Sequence, residues 1–226
     1  MSGNKQSDVI KACRLILQWW KKNKRDFPWR HTKEPYAVLI AEMLLRKTTA
    51  VQVKDMYSCF IKRYPNPEAL SKADKSHLEK LLLPLGMEHQ RAELLIKMGK
   101  ALVDRFSGRV PVIKEDLLEL PGVGPYAANA VLSFSYNQNE PMVDTNFIRV
   151  IERVFGEKSS KARARNDIKI WEFAGSLIPD GESRELNLGI IDFAAVLCKA
   201  RNPKCIKCPV KQICRYENKC IKEKSN

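Results

Sequence analysis

Apolar residues recur at helical spacing along almost the whole chain. Near the start, Ile10, Cys13, Leu17 and Trp20 share one face of an amphipathic helix. Prolines interrupt the pattern where helices are expected to begin or end. The pattern predicts helices at residues 10–20, 35–45, around 57–61, 74–83, 88–106, a short one ending near 120, 125–136, 145–155, 166–178 and 183–197. Strand alternation is absent almost everywhere, so the sequence predicts an all-α fold.

The composition is that of a folded protein away from membranes. The chain has 226 residues, of which 44% are hydrophobic, enough for one large domain or two small ones. No uncharged apolar stretch approaches the roughly 18–20 residues of a membrane helix. No apolar segment of a secretory signal follows Met1. We therefore expect a cytoplasmic, nucleoid-associated protein that is not secreted, has no membrane partner and acts as a monomer.

Positive charge is concentrated at the two ends of the chain. The formal net charge is +14, with 40 basic and 26 acidic residues. Residues 1–34 contribute +6, residues 199–226 contribute +7, and the residues between them only +1. Such an excess favours a polyanionic partner. Two basic tails would give the same totals, so the charge alone does not identify that partner.

Two glycines lie between a short predicted helix and a proline-initiated helix, at Gly122 and Gly124, with Val123 between them. Pro125 suits the first position of the second helix. Glycines permit a tight turn and the close approach of a phosphate, while free N–H groups at the helix start bind anions. The run from Leu120 to Ala128 matches the helix-hairpin-helix DNA-binding motif, which contacts the DNA backbone.

Asp144 directly precedes the apolar-periodic run that begins at Thr145. Aspartate in this position is an ordinary helix N-cap. The same carboxylate can also stabilise a cation or activate water. One carboxylate can serve as the helix N-cap and as the catalytic group, so the two interpretations are compatible.

Five of the seven cysteines crowd the C-terminal end of the chain. Cys198, Cys205, Cys208 and Cys214 are separated by six, two and five residues, and four thiolates within 17 residues can surround one metal centre. Structural zinc sites usually have two short cysteine pairs, whereas only one is present here. The spacing instead resembles the loop of a [4Fe–4S] cluster. Cys220 lies outside the pattern and is expected to be a plain thiol.

With these motifs, the chain resembles the endonuclease III / MutY superfamily of DNA glycosylases over nearly its whole length. Arg25 to Arg30, Pro35-Tyr36 and Glu42 to Leu45 are similar to the MutY-type N-terminal region, and the hairpin, Asp144 and the cysteine loop follow in family order. The run from Leu44 to Ala50 is most similar to archaeal glycosylases that act on T·G mismatches.

The resemblance implies two helical domains with a cleft between them and double-stranded DNA as the partner. A six-helix barrel with the hairpin would span residues 28–135. Residues 1–27 plus 136–226 would form a discontinuous domain carrying the cluster, in which the two basic ends make one DNA-facing surface. Hydrolysis of the glycosidic bond of a flipped-out base is the implied reaction. Asp144 would stabilise the positive sugar, Glu42 would act on the departing base, and Tyr126 would stack on the base or donate its hydroxyl.

At three positions this chain differs from other branches of the family, and these differences determine the predicted specificity. Bifunctional members have a nucleophilic lysine where this chain has Tyr126, so little lyase activity is expected. Adenine glycosylases usually have glutamine where this chain has Leu188. Ala50 replaces a usually larger residue and would make room for the methyl group of thymine. Thymine or uracil opposite guanine is therefore the predicted substrate.

The remaining predicted contacts are with DNA. Met87 and Lys47 lie where the family inserts wedge side chains. A core methionine under a loop explains Met87 equally well, and the alternative for Lys47 is a solvated lysine on a helix face. Arg91 and the amides of Gly122 and Gly124 would hold phosphates. The resemblance also places Arg30, Arg46 and Val123 among the contacting residues.

Three other functions are compatible with parts of this pattern. Glu42 favours an adenine glycosylase acting on A·G pairs. A bifunctional lyase would need the lysine that is missing at Tyr126. A non-catalytic iron–sulfur DNA-binding protein would not require Asp144.

Overall fold

The computed structural model describes residues 3–216, and these residues form helices and connecting loops with no strand. Cys220 lies outside the described residues. Eleven α-helices occur in this part of the chain: α1 (Gly3–Asn23), α2 (Pro35–Leu45), α3 (Ala50–Arg63), α4 (Pro67–Ser71), α5 (Lys75–Leu82), α6 (Glu88–Phe106), α7 (Lys114–Leu118), α8 (Pro125–Tyr136), α9 (Thr145–Val150), α10 (Ile168–Ser176) and α11 (Ser183–Val196). None of the described helices is both long and apolar enough to cross a membrane.

The chain divides into two compact units. Unit 1 consists of Met1–Arg25 and Asn139–Asn226, and unit 2 consists of Asp26–Gln138. Unit 2 is therefore continuous in sequence, whereas unit 1 combines the first helix with the C-terminal part of the chain.

Unit 2 is built around two helices that are buried on almost every side. In α2 every residue from Tyr36 to Leu44 is buried, and in α8 every residue from Ala127 to Phe134 is buried. A helix that is apolar all round needs neighbours on all faces, and α2 packs against α3 and α8. Helix α6 packs against α4 and α5, with α4 so close that a Cβ at Gly99 would lie 2.9 Å from a backbone nitrogen.

Unit 1 has its own core, formed by α1, α9, α10 and α11. Helix α1 packs on α11, where Gly189 faces Trp20. The Nε1 group of Trp20 donates to Asp192 Oδ2 at 3.0 Å, and Arg25 Nε donates to Asp192 Oδ1 at 2.5 Å. Asp192 is fully buried, so these donors stabilise its carboxylate and fix the end of α1 on α11.

The predicted helices are present, with two differences. The short helix α4 was not predicted, because five residues show too little periodicity to be recognised. The helix predicted over 145–155 changes at Ile151 from α-helix to a π-helical turn that ends at Phe155.

Candidate functional site

The hairpin between α7 and α8 has the geometry expected of a backbone-binding turn. Gly122 has a φ of +81°, and a Cβ there would lie 2.5 Å from Leu94 Cδ2. Gly124 is the N-cap of α8 and has no side-chain cap. The first N–H groups of an α-helix have no partner within the helix and are available to an anion. Between the two glycines, the side chain of Val123 is buried in unit 2.

Arg46 joins the loop after α2 to this hairpin. Its Nη1 group donates to the carbonyl oxygen of Gly122 at 2.8 Å, while the side chain stays exposed. A hydrogen bond to one nitrogen leaves other guanidinium donors for a phosphate. Arg46 therefore positions the turn and adds positive charge beside it.

Two candidate catalytic side chains lie within unit 2, on the two buried helices. Glu42 of α2 is only 6% exposed, which is rare for a glutamate. Tyr126 is half-buried in the first turn of α8, two residues after Gly124. Both residues have interaction partners in the structure. The neighbours of Glu42, namely Ile40, Met43 and Leu44, are apolar and buried, so the local sequence already indicates that this part of α2 faces inward.

In unit 1, Asp144 is the N-cap of α9 and lies at the start of a chain of hydrogen bonds. Its Oδ1 accepts from the backbone N–H of Phe147 at 2.7 Å, and its Oδ2 accepts from Asn146 Nδ2 at 2.8 Å. Arg149 Nη2 donates to Asn146 Oδ1 at 3.0 Å, and Arg149 Nε donates to the carbonyl of Cys198 at 2.8 Å. The carboxylate is therefore oriented through both oxygens and connected to the cysteine loop.

The four cysteines of the predicted cluster loop are all half-buried. Burial raises the pKa of the Cys208 thiol to about 12, with smaller contributions from the negative charges of Cys214, Cys198 and Cys205. Arg153 Nη1 lies 4.0 Å from Cys198 Sγ. Within residues 3–216, no three histidine, cysteine or acidic side chains form a group that could hold a metal ion.

The donor set, four thiols on one loop, fits an iron–sulfur cluster, in which four cysteines bind four separate irons instead of converging on one metal ion. Four thiols influence one another electrostatically, and a guanidinium lies beside one of them. An iron–sulfur cluster with four thiolate ligands is anionic, so the nearby positive charge of Arg153 would stabilise it. Arg153 also donates to the carbonyls of Lys199 and Ala200, which holds the start of the loop in place.

The prediction that Arg91 holds a phosphate does not fit the structure. Arg91 is 7% exposed, and its guanidinium donates to backbone carbonyls inside unit 2. These carbonyls belong to Gly86 (3.4 Å), Met43 (3.0 Å), Leu44 (3.3 Å) and Arg46 (3.0 Å). Four of its five donor directions are used in this way. Burial, and secondly the charge of Arg46, lower the pKa of Arg91.

Met87 and Lys47 are exposed, and both have a φ of +55°. The interpretation of Met87 as a core methionine is wrong, because 46% of its surface is exposed. It is the N-cap of α6, a position that usually has extended backbone and a polar side chain. The interpretation of Met87 as a wedge residue stays a prediction.

The other predicted contact residues occupy varied positions. Ala50 begins α3, where Thr49 and Gln52 form a capping box. Leu188 is buried on α11 in unit 1. Arg30 is half-buried in unit 2, with its guanidinium 5.3 Å from the ring centre of Phe27.

Comparison with known proteins identifies the family. The family model for HhH-GPD superfamily base excision DNA repair proteins matches residues 40–173. The thymine-DNA glycosylase of Aeropyrum pernix is 45% identical over 208 residues, which are 91% of this chain and 93% of the relative. The chain belongs to the HhH-GPD superfamily. The thymine/uracil-DNA glycosylase of Pyrobaculum aerophilum is 46% identical over 94% of each chain.

Two solved structures agree with this fold. The structure of a thermostable thymine-DNA glycosylase superposes with a TM-score of 0.90 at 41% identity, covering 95% of this chain and 99% of its own. A trapped endonuclease III–DNA covalent intermediate gives a TM-score of 0.81 at 25% identity, covering 93% and 95%. The predicted all-α helix-hairpin-helix glycosylase fold is thus confirmed.

The cysteine loop matches a second family model, the iron-sulfur binding domain of endonuclease III, at residues 198–214. This match confirms the predicted [4Fe–4S] cofactor. Its first and last residues are the first and last of the four cysteines that the spacing selected.

Asn146, Arg149 and Arg153 were not singled out from the sequence. Their signal is present nonetheless, because they are polar side chains at helical spacing in a largely apolar segment. The two arginines mostly donate to backbone carbonyls 45 to 49 residues away, and those contacts leave no trace in the pattern.

Proposed function

We propose that this protein, acting as a monomer, is a DNA glycosylase that releases thymine or uracil mispaired with guanine. The observation that carries the proposal is the similarity, at 45–46% identity over more than nine-tenths of each chain, to two archaeal enzymes named for thymine or thymine and uracil. A wobble pair is less costly to unpair and unstack than a matched pair, which favours flipping of the mispaired base.

Asp144 is the proposed group at the sugar. When the bond between C1′ and the pyrimidine nitrogen breaks, its electron pair leaves with the base and positive charge develops on the sugar. An oriented carboxylate stabilises that charge. It also accepts a proton from the water whose oxygen bonds to C1′. The hydrogen bonds from Phe147 and Asn146 hold the carboxylate oxygens in fixed positions for this task.

Glu42 and Tyr126 are the proposed groups at the departing base. The base leaves as an anion and is finally protonated, so donors near its carbonyl oxygens lower the barrier. The phenol of Tyr126 is such a donor, and its ring also offers a stacking surface. Glu42 would contact the base from its position on α2.

The cluster is assigned a structural role in this proposal. When bound, it would be held by Cys198, Cys205, Cys208 and Cys214, and its four iron–thiolate bonds would cross-link the loop. Arg149 and Arg153 secure the same loop through backbone carbonyls. In this way the loop would support the helix that begins at Asp144.

We further propose that the enzyme is monofunctional. The bond-breaking step of a lyase requires an amine that forms an imine with C1′, and a phenol cannot form one. Tyr126 stands in the family position of that amine. Borohydride, which reduces such imines to stable adducts, should therefore trap no covalent protein–DNA complex.

The deciding experiment uses duplexes that each contain one T·G, U·G, A·G or thymine-glycol site. We expect strand breaks at T·G and U·G only after alkali, because base release leaves an intact backbone. Breaks without alkali would contradict the monofunctional proposal. The absence of cleavage from every duplex would contradict the glycosylase proposal and favour a non-catalytic DNA-binding role.

Adenine excision from A·G pairs is a second candidate. Glu42 favours it, and an adenine DNA glycosylase of Buchnera aphidicola is 32% identical over 88% of this chain and 58% of its own length. Leu188 argues against it, since a buried leucine offers no hydrogen bond to the polar edge of adenine. Cleavage restricted to the A·G duplex would establish this alternative.

A further inference from the structure

The guanidinium of Arg91 joins two separate loops of unit 2. It binds the carbonyl of Arg46, in the segment after α2, and the carbonyl of Gly86, in the loop before α6. Two more bonds, to Met43 and Leu44, hold the end of α2. All four bonds end on backbone oxygens.

Each bound loop carbonyl lies immediately before an exposed left-handed residue. Lys47 follows Arg46, and Met87 follows Gly86. Because the peptide unit is planar, fixing a carbonyl also fixes the N–H and the Cα position of the next residue, from which its side chain projects. Left-handed conformations of non-glycine residues persist only where their surroundings enforce them. Arg91 supplies such a constraint at both Lys47 and Met87.

Gly86 makes this arrangement possible on one side. Its φ of 69° and ψ of 167° lie in a region that is essentially restricted to glycine. The chain thus reverses at Gly86, offers its carbonyl to Arg91 and leaves Met87 exposed. On the other side, Arg46 donates to Gly122 and so connects the Lys47 loop to the hairpin.

We propose that Arg91 is a positioning residue that sets Lys47 and Met87 as a pair of probes for opening the DNA base stack. This inference rests on the proposed function, since it concerns the step in which the mispaired base leaves the helix. Arg91 itself does not touch the DNA. It acts through the two peptide units that determine where the probes point.

The proposal is tested by a double-mutant cycle on the full-length, cluster-containing protein. The variants are Arg91→Met, Met87→Ala and their combination, with Arg91→Lys as the conservative change. Arg105→Met is the matched control, because Arg105 lies on the same helix but is exposed and pairs with Glu119. Two quantities are measured for each: the single-turnover rate on a T·G duplex, and the fluorescence of 2-aminopurine beside the mismatch, which reports unstacking.

We expect Arg91→Met to lower the single-turnover rate of base release about 100-fold, the loss typical of misplaced groups near a reacting centre. The fluorescence signal that reports unstacking should fall severalfold. Adding Met87→Ala to Arg91→Met should then change the rate and the fluorescence signal little, because a Met87 side chain that is already misplaced no longer contributes to either. Arg91→Lys should recover part of the signal, and Arg105→Met should behave as the wild type.

If the fold-changes of Arg91→Met and Met87→Ala multiply in the double variant, the two residues act independently. That result would overturn the proposal and show that Arg91 only stabilises the fold. If Arg91→Met does not fold, Arg91→Lys and Arg91→Gln replace it in the same double-mutant cycle. The fluorescence cycle does not need base release. If the wild type releases no base from any duplex, the proposed function fails, while coupling in the fluorescence signal still decides the role of Arg91.

Discussion

Asp144 combines a structural and a proposed chemical task in one carboxylate, and a single substitution can separate them. Asparagine caps a helix about as well as aspartate does, so Asp144→Asn should keep α9 intact. It removes the negative charge that the proposed mechanism needs. We expect base release to fall by a factor of about 100 to 10,000, the usual contribution of such a group, with nearly unchanged thermal stability.

Single-turnover rates on a T·G duplex and the melting temperature test this expectation together. Asn146→Ala is a useful companion, because it removes one hydrogen bond from the carboxylate but leaves the charge, and should have a smaller effect. An Asp144→Asn variant that released thymine at the wild-type rate would exclude Asp144 from the chemistry.

Single residues were predictable where their role follows from the local sequence. The N-cap position of Asp144 and the burial of Glu42 follow from the apolar pattern around them, and both are observed. The bonds of Arg91 were not predictable, because its acceptors are carbonyls up to 48 residues away and every residue has a carbonyl. A resemblance suggested an anion partner for Arg91, whereas the fold provides internal acceptors.

At the scale of elements, prolines and glycines made the helices predictable. Pro35 and Pro125 begin α2 and α8, as the sequence indicates. The ends of the helices were harder to predict where tertiary packing determines them. The π-helical turn after Ile151 is one example, since apolar periodicity alone does not distinguish it from a continued α-helix.

The hairpin offers a matched pair of glycine substitutions. Gly122 has a φ of +81°, and a Cβ there would approach Leu94 Cδ2 at 2.5 Å and Arg46 Nη1 at 2.8 Å. A Cβ at Gly124 would have no described heavy atom within 4 Å, and its φ of −106° suits any residue. We expect Gly122→Ala to cost about 1–3 kcal/mol of stability, and Gly124→Ala about 0.5 kcal/mol or less.

Thermal melting followed by circular dichroism measures this difference. Because the Cβ of Gly122→Ala also displaces Arg46, binding to a T·G duplex should weaken in that variant. Equal melting temperatures for the two variants would show that the turn adapts to a side chain at either position.

At the scale of the whole molecule, the positive charge belongs mainly to one unit. Unit 1 has 24 basic and 13 acidic residues, a net charge of +11, whereas unit 2 has 16 and 13, a net charge of +3. The excess positive charge of both chain ends belongs to this same unit, because residues 26–34 have no net charge and residues 1–25 supply the +6 of the first end. The charge therefore follows the fold rather than the order of the chain, which supports a joint role for both ends in attracting DNA.

The dependence of DNA binding on salt can test that role. Four basic side chains are exposed along the cysteine loop, namely Arg201, Lys204, Lys207 and Lys211. Each phosphate contact that is lost should reduce the slope of log affinity against log salt by about 0.9. We expect the double variant Lys204→Gln, Lys207→Gln to have a slope lower by about 1 to 2 than the wild type, and a correspondingly weaker affinity at low salt.

Lys97→Gln is the control, since Lys97 is an exposed lysine of unit 2 that pairs with Glu93 at 2.7 Å. Its slope should equal that of the wild type. The visible absorbance of the cluster shows whether the loop variant is intact, because both lysines adjoin cysteines of the loop. A loop variant with intact absorbance and an unchanged slope would mean that Lys204 and Lys207 do not contact phosphates, and would contradict a role of the cysteine loop in attracting DNA.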